Sequence, residues 1–478
     1  MPINYGQFAP GLAAWNSVGS AVIDNVLPNE DGSYRPMSAG VTLPTADALP
    51  SAPRGQISFP NSVGAYLRFI ATGDTWYAMD SEGGLTSIGT GYAVTSGDKE
   101  SFVRFGSYLI GSNVVDGMRQ YNAEIGGSVT AISGAPDARF LFVAANHVFA
   151  LDCDGNNRLM RNSDANDHTN WTGGLAEYQS FEDGGALIGG CAISQGAALI
   201  FQREAVRILT FNTSGPLYNL TLLANTAGAV SASSIVPVSG GAAFMDTDGP
   251  KFASSTGIVP LGDKTGVANW FLSQTAAADL VLVDGAYDRF NRTVWWRYRS
   301  GSDAADVTSR MLGYHIDSQR FTTATIDTSA IFSTATVGYT LDTMDSFGPL
   351  DTIDIPLDDR FWKGGEPLFG GMDADFKFFT FSGLALAATL ETPLIQMPRS
   401  MLVNRATPID DATGGTVELG VADRVGDALT WKSPVELTAS GSAPLRGRGR
   451  AFKLRRNIPA GAAWSSATGF DYLQEMGR

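Results

Sequence analysis

The sequence is poor in the residues on which most catalytic and disulfide-bonded proteins depend. Among its 478 residues there are two cysteines, Cys153 and Cys191, and neither lies in a Cys-x-x-Cys pair. This excludes a disulfide framework and favours synthesis in a reducing compartment. The three histidines, His147, His168 and His315, form no His-x-x-x-His pattern. Motifs of nucleophile elbows, phosphate loops and dinucleotide-binding turns do not occur either. We therefore expect no enzymatic activity, no catalytic residues, no metal site and no cofactor.

Positive charge and long apolar runs are also scarce. The sequence has 33 Lys and Arg against 48 Asp and Glu, a formal net charge of −15, which disfavours coating of nucleic acid by the surface as a whole. The N-terminal residues MPINYGQ carry neither a basic nor an apolar signal region. No apolar run approaches the roughly 20 residues that a spanning helix needs, so we expect no membrane segment.

What the sequence does contain is a series of short apolar runs separated by Gly, Asn and Asp. Residues 138–171 are the clearest example: FLFV at 140–143 and VFAL at 148–151 flank a break at Asn146, and DCDG at 152–155 follows. Such runs are typical of antiparallel strands joined by tight hairpins. The 55 glycines and the low content of Lys and Glu also favour β-structure with many turns.

Looser copies of this unit predict a repeat architecture. An apolar run followed by an acidic turn recurs at Asp80, Asp152, Asp246 and Asp317, which lie 72, 94 and 71 residues apart. Because one propeller blade takes about 40–45 residues, these markers should lie about two blades apart. We predict an all-β, β-propeller-like fold of many short antiparallel strands, and a pair of β-sandwiches is the rival architecture.

Composition divides the chain into three regions. Residues 1–60 form an irregular N-terminal segment with one strand at 21–28, residues 61–390 form the propeller-like body, and residues 391–478 form a C-terminal β region. Residues 263–274 are the best helix candidate, with Asp263 as the N-cap.

Two Asp-x-Asp-Gly sequences, which begin at Asp152 and Asp246, have two possible interpretations. Spaced carboxylates can bind Ca²⁺, which would suit a Ca²⁺-dependent adhesion module. Asp and Gly also tolerate the positive φ angles of hairpin turns, and neither sequence continues to the distant Glu of an EF-hand loop. We interpret both as turns.

Two further acidic segments are candidates for carbohydrate chemistry. Residues 163–171 resemble a sialidase Asp box through Ser163, Asp164 and Trp171, but the central Gly is missing; the resemblance indicates a propeller turn. A second group could supply paired carboxylates for glycoside hydrolysis or form a solvated loop. It consists of Asp351, Asp354, Asp358, Asp359, Asp373 and Asp375.

One basic run interrupts the acidic sequence. It places six cations within eleven residues, namely Arg446, Arg448, Arg450, Lys453, Arg455 and Arg456. Cations on a strand edge discourage edge-to-edge pairing, which is one interpretation. The other is a contact with an acidic neighbour, either another copy of this chain or nucleic acid in transit.

An ordered series of degenerate motifs resembles the tail proteins of short-tailed bacteriophages. Residues 25–36, NVLPNEDGSYRP, fit the pattern N-x-x-P-x-x-x-G-x-x-x-P of that family. Ser163, Asp167 and Trp171 resemble its Ser/Asp/Trp turn, although Asp-His-Thr-Asn stands here where the family often has Asp-Pro-Thr. Further matching segments lie, in order, at 189–190, 199–211, 248–262, 270–271, 458–471 and 477–478.

The resemblance implies a tail nozzle or hub. Such a protein is a virion structural protein without enzymatic activity, made in the cytoplasm of the bacterial host. It forms a homohexameric ring below the portal and its adaptor, carries tail fibres or spikes, retains the packaged DNA and conducts it during ejection. The N-terminal segment would contact the adaptor or close the propeller, and the C-terminal region would form a separate tip or close the propeller. An acidic composition suits a channel that must not hold its DNA.

A different class of function is also compatible with the sequence. Nine tryptophans and the Asp-rich loop would suit a secreted or virion carbohydrate-binding or glycan-cleaving β-propeller.

Overall fold

The structure is a computed structural model that describes residues 2–13, 15, 17–95, 97–212, 216–301, 310–340, 344–353, 355–424 and 426–471. Forty strands form within these residues. Only short helices accompany them, so the all-β prediction is confirmed.

The N-terminal segment contains more strand than its composition predicted. It forms β1 (Ile3–Asn4), β2 (Ile23–Asp24), β3 (Val26–Pro28), β4 (Tyr34–Pro36) and β5 (Ser38–Thr42). The strand predicted at 21–28 is divided at Asn25, whose φ of 59° breaks the extended conformation. The prediction of an irregular segment with one strand is therefore wrong: β3 and β4 form a local hairpin, and β1, β2 and β5 pair with strands far away in sequence.

Seven groups of four antiparallel strands form the blades of a β-propeller; six are separate sheets, and the sixth blade is part of a larger sheet. The first blade contains β6 (Gly55–Pro60), β7 (Tyr66–Ala71), β8 (Thr75–Met79) and β9 (Leu85–Thr90). The second contains β10 (Ser101–Phe105), β11 (Tyr108–Asn113), β12 (Gly117–Asn122) and β13 (Thr130–Ala131). The third contains β14 (Ala138–Ala144), β15 (His147–Cys153), β16 (Asn156–Asn162) and β17 (Tyr178–Ser180). The next two contain β18 (Leu187–Ser194), β19 (Ala197–Gln202), β20 (Val206–Phe211) and β21 (Tyr218–Ala224); and β22 (Val236–Val238), β23 (Gly241–Asp246), β24 (Gly249–Ser254) and β25 (Gly257–Pro260). The last two contain β26 (Asp284–Asp288), β27 (Thr293–Tyr298), β28 (Arg310–His315) and β29 (Arg320–Thr325); and β30 (Ala330–Val337), β31 (Gly364–Met372) and β32 (Phe378–Ala385) together with β5.

The ring is closed by a strand from the N-terminal segment. In the seventh blade β5 pairs with β32, with Thr42 opposite Phe379 and Val41 opposite Thr380. The first strands of successive blades contact each other around the ring, and β30 returns to β6. Of the two regions that could close the propeller, the N-terminal one therefore does so. The first blade begins at Gly55 and not at residue 61, since the short GQISFP strand becomes recognisable only through its pairing with β7.

Apolar side chains fill the interfaces between neighbouring blades. Each of seven buried clusters joins one pair of blades, including the pair formed by the seventh and the first. Trp76 packs between the first and second blades, and Phe149 between the third and fourth. The second strand of a blade has neighbouring blades on both of its faces. This explains why β15 is buried along its whole length and has an apolar run in its sequence. Cys153 and Cys191 belong to two of these clusters as free thiols.

The hairpin turns of the third blade have the geometry that their residues predict. Ala145 and Asn146 adopt φ angles of 44° and 61° between β14 and β15, as a two-residue turn with positive φ at both positions requires. Asp154 and Gly155 also have positive φ, and the register of β15 with β16 shifts at this turn.

The acidic turn markers do not repeat regularly. Asp80, Asp152 and Asp246 belong to the first, third and fifth blades, two blades apart as expected, but Asp317 lies in the sixth. Asp80 and Asp317 follow the third strand of their blades, whereas Asp152 and Asp246 lie at the end of the second. The marker identifies a hairpin, because Asp and Gly suit any tight turn.

The predicted helix is shorter and begins later than residue 263. Helix α1 (Val267–Gln274) starts at Gly266 in the left-handed region, and Asp263 belongs to a separate 3-10 turn, Asp263–Thr265. The other 3-10 turns are Ala232–Ser234, Ala277–Leu282, Asp345–Phe347, Leu350–Thr352 and Arg360–Trp362. Within the described residues, no helix has the length and apolar character of a membrane span.

The two ends of the chain build a second unit on the sixth blade. The remaining strands are β33 (Ala388–Glu391), β34 (Ile395–Ala406), β35 (Pro408–Asp410), β36 (Thr416–Ala422), β37 (Thr430–Trp431), β38 (Val435–Glu436), β39 (Ala443–Ile458) and β40 (Ala467–Phe470). The outer strand β29 pairs with β2, which pairs with β33, so the blade extends into an eleven-stranded sheet. A second sheet contains β1, β40, β4, β3 and β35, and residues of both sheets share one buried cluster.

Candidate functional site

The basic run lies on β39, the longest strand, and divides into an exposed half and a buried half. In the first half Arg446, Arg448 and Arg450 are exposed, and Leu445, Gly447 and Gly449 between them are buried. Alternate residues of a strand point to the same face about 7 Å apart. Among the described residues none of these three arginines forms a salt bridge. We call this row of three side chains the arginine ridge.

The neighbouring strand β34 supports the arginine ridge and adds a fourth cation. Leu402 lies opposite Arg448, and the exposed Arg405 lies opposite Pro444 at the start of β39. The register shifts between Val403 and Arg405, so Arg405 faces solvent although simple alternation would place it with the buried Val403. Sequence reasoning missed Arg405 because a bulge leaves no signal in the residue pattern.

The second half of β39 turns its cations inward. Arg456 is 0% exposed, and its Nε lies 2.9 Å from Oδ2 of Asp410, whose side chain is 2% exposed. Its Nη2 also donates to the carbonyl oxygen of Gly414 at 2.7 Å. Burial, together with the Asp410 carboxylate, raises the pKa of the nearby Tyr5 hydroxyl well above its usual value. Arg456 is therefore a structural residue, and its assignment to a contact surface is wrong.

Lys453 and Arg455 form a second ion-pair group in the same unit. Lys453 Nζ lies 2.5 Å from Oε1 of Glu391, and Arg455 bridges Glu391 and Glu418 at 3.1 and 3.2 Å. The Arg455 guanidinium also lies 4.0 Å from the ring centroid of Trp431. These residues line a cavity of about 420 Å³, but their charges already have partners. Because both cations are held inside the unit, of the six predicted contact residues only the three of the arginine ridge are available to a partner.

The first strands of neighbouring blades approach one another closely. Ser58, Pro237, Tyr287 and Ser333, which come from the first strands of four different blades, line one cavity of about 290 Å³. Ser58 donates a hydrogen bond of 2.6 Å to the carbonyl of Ser333.

Two carboxylates of the Asp-rich segment stabilise turns. Asp359 accepts from the Phe361 N–H before β31. Asp373 accepts from the N–H groups of Asp375 and Lys377 after β31. The nine-residue strand β31 lies between the two turns in the chain. Asp354 lies outside the described residues.

The Asp-box-like loop connects the third and fourth strands of the third blade. Asp164 accepts from the N–H groups of Ala165 and Leu175, and Trp171 donates from Nε1 to the His168 carbonyl at 2.9 Å. Trp171 is buried against the second blade, and the Asp164 hydrogen bonds lower the pKa of its carboxyl. The loop therefore holds two blades together.

The Asp-x-Asp-Gly carboxylates bind cationic side chains. Asp152 pairs with Arg139 at 3.3 Å and Asp154 with Arg161 at 3.2 Å, while Lys251 contacts both Asp246 and Asp248 at 2.7 and 2.8 Å. In the described part of the chain, no three His, Cys, Asp or Glu side chains converge as metal ligands would.

Chelation should therefore leave the protein unchanged. Because the turn carboxylates are neutralised by Arg139, Arg161 and Lys251, we expect the same melting temperature, within about 1 °C, in EDTA and in millimolar CaCl₂. Differential scanning calorimetry measures this directly. A melting temperature that falls with chelator and recovers with Ca²⁺ would support the Ca²⁺-dependent module instead.

Comparison with known proteins assigns this chain to no family. No protein-family model matches the sequence, and no curated protein is similar to it. Among solved structures, a streptogramin B lyase is 11% identical and aligns over 72% of this chain and 97% of its own, with a TM-score of 0.41. The WD40 repeats of RRP9 are 10% identical and align over 63% of this chain and 88% of their own, with a TM-score of 0.40. The β-propeller domain of Myceliophteria thermophila Cps50 (Swd1) is 7% identical and aligns over 72% of this chain and 98% of its own, with a TM-score of 0.41.

Proposed function

We propose that this chain is a structural protein of a bacteriophage tail, one of six copies in a ring-shaped nozzle or hub below the portal and adaptor. The ring retains packaged DNA, conducts it during ejection and carries tail fibres or spikes. The observation that carries the proposal is the arginine ridge, a row of exposed cations outside the salt bridges that the structure describes, on a chain with a net charge of −15. The surface that complements the arginine ridge is acidic, and every other copy of the chain offers an acidic surface.

The closed propeller also suits a ring of several copies. The first strands of successive blades contact each other around the propeller, and we place the channel for duplex DNA between copies. An acidic channel wall suits this role, because phosphate-neutralising side chains would hold the DNA back in a salt-dependent way.

The motifs shared with tail proteins lie where separate parts of the fold are joined, which suits a structural role. In the segment 25–36, Asn25 Nδ2 donates to the carbonyl of Ala387, and Asn25 Oδ1 accepts from the N–H of Thr325. This residue therefore links the N-terminal segment, the sixth blade and the C-terminal unit. Trp171 of the second motif packs between two blades.

Electron microscopy of the purified full chain, alone and mixed with the adaptor of the same virion, tests the proposal. We expect six-fold rings with a central opening that accepts duplex DNA, docked on the adaptor through one face. Chains that remain monomeric at every concentration and never dock to the adaptor would rule it out.

A second candidate function is carbohydrate binding. It is favoured by a cavity of about 620 Å³ lined by Phe290, Trp295, Phe369 and Phe381 together with Asp358 and Asp359. Aromatic walls combined with a few polar groups are typical of small-molecule sites. A glycan array probed with the labelled full chain tests it; binding to no glycan would exclude it.

A further inference from the structure

The largest of the described cavities lies between the sixth and seventh blades and the strand β4. Its volume is about 620 Å³, within the usual range of about 300–1,000 Å³ for ligand sites. Asp288 and Asn291 come from the turn after β26, Arg360 from the connection between β30 and β31, and Arg35 from β4. Three separate segments thus meet around one space.

Three hydrogen-bond donors on residues that line this cavity lack partners. The Trp295 Nε1, the Arg35 Nε and the Arg360 Nη1 atoms are buried, and none has a hydrogen-bond partner among the described residues. Trp295 is 0% exposed, and the far edge of its six-membered ring lies over Gly313, away from Nε1. Buried donors are rarely left unpaired, because each one costs about 1–3 kcal/mol.

The buried Asp288 carboxylate lies near both guanidinium groups but forms its hydrogen bonds with other donors. Asp288 Oδ1 accepts from the N–H groups of Phe290 and Asn291, and its Oδ2 accepts from Asn291 Nδ2 at 2.6 Å. The Arg360 guanidinium lies 3.4 Å from the ring centroid of Phe290, which fixes its plane. Burial lowers the pKa of both Arg35 and Arg360, so the two guanidinium groups are held at an electrostatic cost that a bound anion would relieve.

The rim of the cavity differs from its floor. Asp358, Lys363 and Glu366 are exposed at the rim, while Phe369, Phe381 and Trp295 form an apolar wall. The floor therefore offers donors to an anion, the wall offers an apolar surface, and the rim offers carboxylate acceptors to hydroxyl groups.

We propose that this cavity binds an acidic sugar, with its carboxylate between Arg35 and Arg360, its ring against the aromatic wall and its hydroxyl groups at the rim carboxylates. The paired guanidinium groups suit a planar carboxylate, which accepts two parallel hydrogen bonds. The proposal rests on the carbohydrate-binding function and is independent of the ring assembly.

The test is isothermal titration of the full chain with glucuronate and with glucose, which differ only in the carboxylate at C6. We expect glucuronate to bind at least about tenfold more tightly, which corresponds to about 1.4 kcal/mol. Arg360→Gln should remove this preference. Arg289→Gln is the matched control. Arg289 is an exposed residue in the turn after β26, next to Asp288, and it does not line the cavity.

A second variant guards against loss of folding. Arg35→Gln removes the second guanidinium at a half-buried position, so it should weaken glucuronate binding with little change in melting temperature. Glucuronate binding that is unchanged in both variants would overturn the proposal, as would competition by acetate or phosphate at equal strength. Equal binding of glucose and glucuronate would overturn the acidic site and leave carbohydrate binding standing, and no binding of either sugar would remove both from this cavity.

Discussion

Replacing Arg456 with methionine should lower the free energy of unfolding of the C-terminal unit by about 3–5 kcal/mol. Arg456 and Asp410 are both buried and lie 2.9 Å apart. The variant would leave the Asp410 carboxylate without its counter-charge in a site that water does not reach, and would also remove the hydrogen bond to Gly414. Urea unfolding followed by tryptophan fluorescence measures the loss, since Trp464 lies in the buried cluster of this unit.

Two further variants separate the charge effect from the loss of side-chain volume. The double variant Asp410→Leu with Arg456→Met removes both charges, and we expect it to recover most of the stability, because apolar residues replace buried ion pairs at little cost. Arg448→Met, on the exposed half of the same strand, should change stability by no more than about 0.5 kcal/mol. If Arg456→Met stays within about 1 kcal/mol of the wild type, then Asp410 is satisfied by another group and this description of the pair is wrong.

Reversing the charge of the arginine ridge should abolish assembly of the proposed ring. Arg446→Glu, Arg448→Glu and Arg450→Glu together place three carboxylates on the surface that we propose for an acidic neighbour, and like charges in an interface cost several kcal/mol. We therefore expect at least a 100-fold weaker association, measured by analytical ultracentrifugation. The melting temperature of the isolated chain should not change, because these side chains are exposed and outside any ion pair that the structure describes.

A second triple variant controls for net charge. Arg158→Glu, Arg203→Glu and Arg289→Glu change the charge by the same amount at exposed positions on three different blades, and we expect them to leave assembly intact. Equal losses in both triple variants would show that total charge, and not the arginine ridge, governs association. If the ridge variant assembles normally but releases DNA at lower salt than the wild type, the arginine ridge faces the nucleic acid.

The local structure of this protein follows closely from its residues. The apolar runs at 140–143 and 148–151 are found in the strands Ala138–Ala144 and His147–Cys153, and the break predicted at Asn146 is a two-residue turn with positive φ. Alternation also places Arg446, Arg448 and Arg450 on one face, as any strand with that sequence would. These features depend on neighbours only a few residues away, so they can be read without knowledge of the fold.

Features that depend on distant partners could not be predicted in the same way. The partners of Arg456 and Lys453 are 46 and 62 residues away, and the alternation of β39 does not reveal that its second half is covered by a second sheet. The placement of Asp359 and Asp373 in turns before and after β31 likewise becomes visible only when that strand is seen to lie between them in the chain. A bulge, such as the one before Arg405, shifts a side chain to the other face without changing the composition.

The sequence by itself determined the all-β class, the positions of the hairpins and the acidic character of the surface, because these follow from local conformational preference and composition. Only the tertiary structure decided the number of blades, the closure of the ring by β5 and the division of the basic run into an exposed ridge and a buried ion-pair network. Each of these depends on which apolar faces and charged groups meet across many residues, and burial, rather than residue type, decides whether an arginine remains available to a partner.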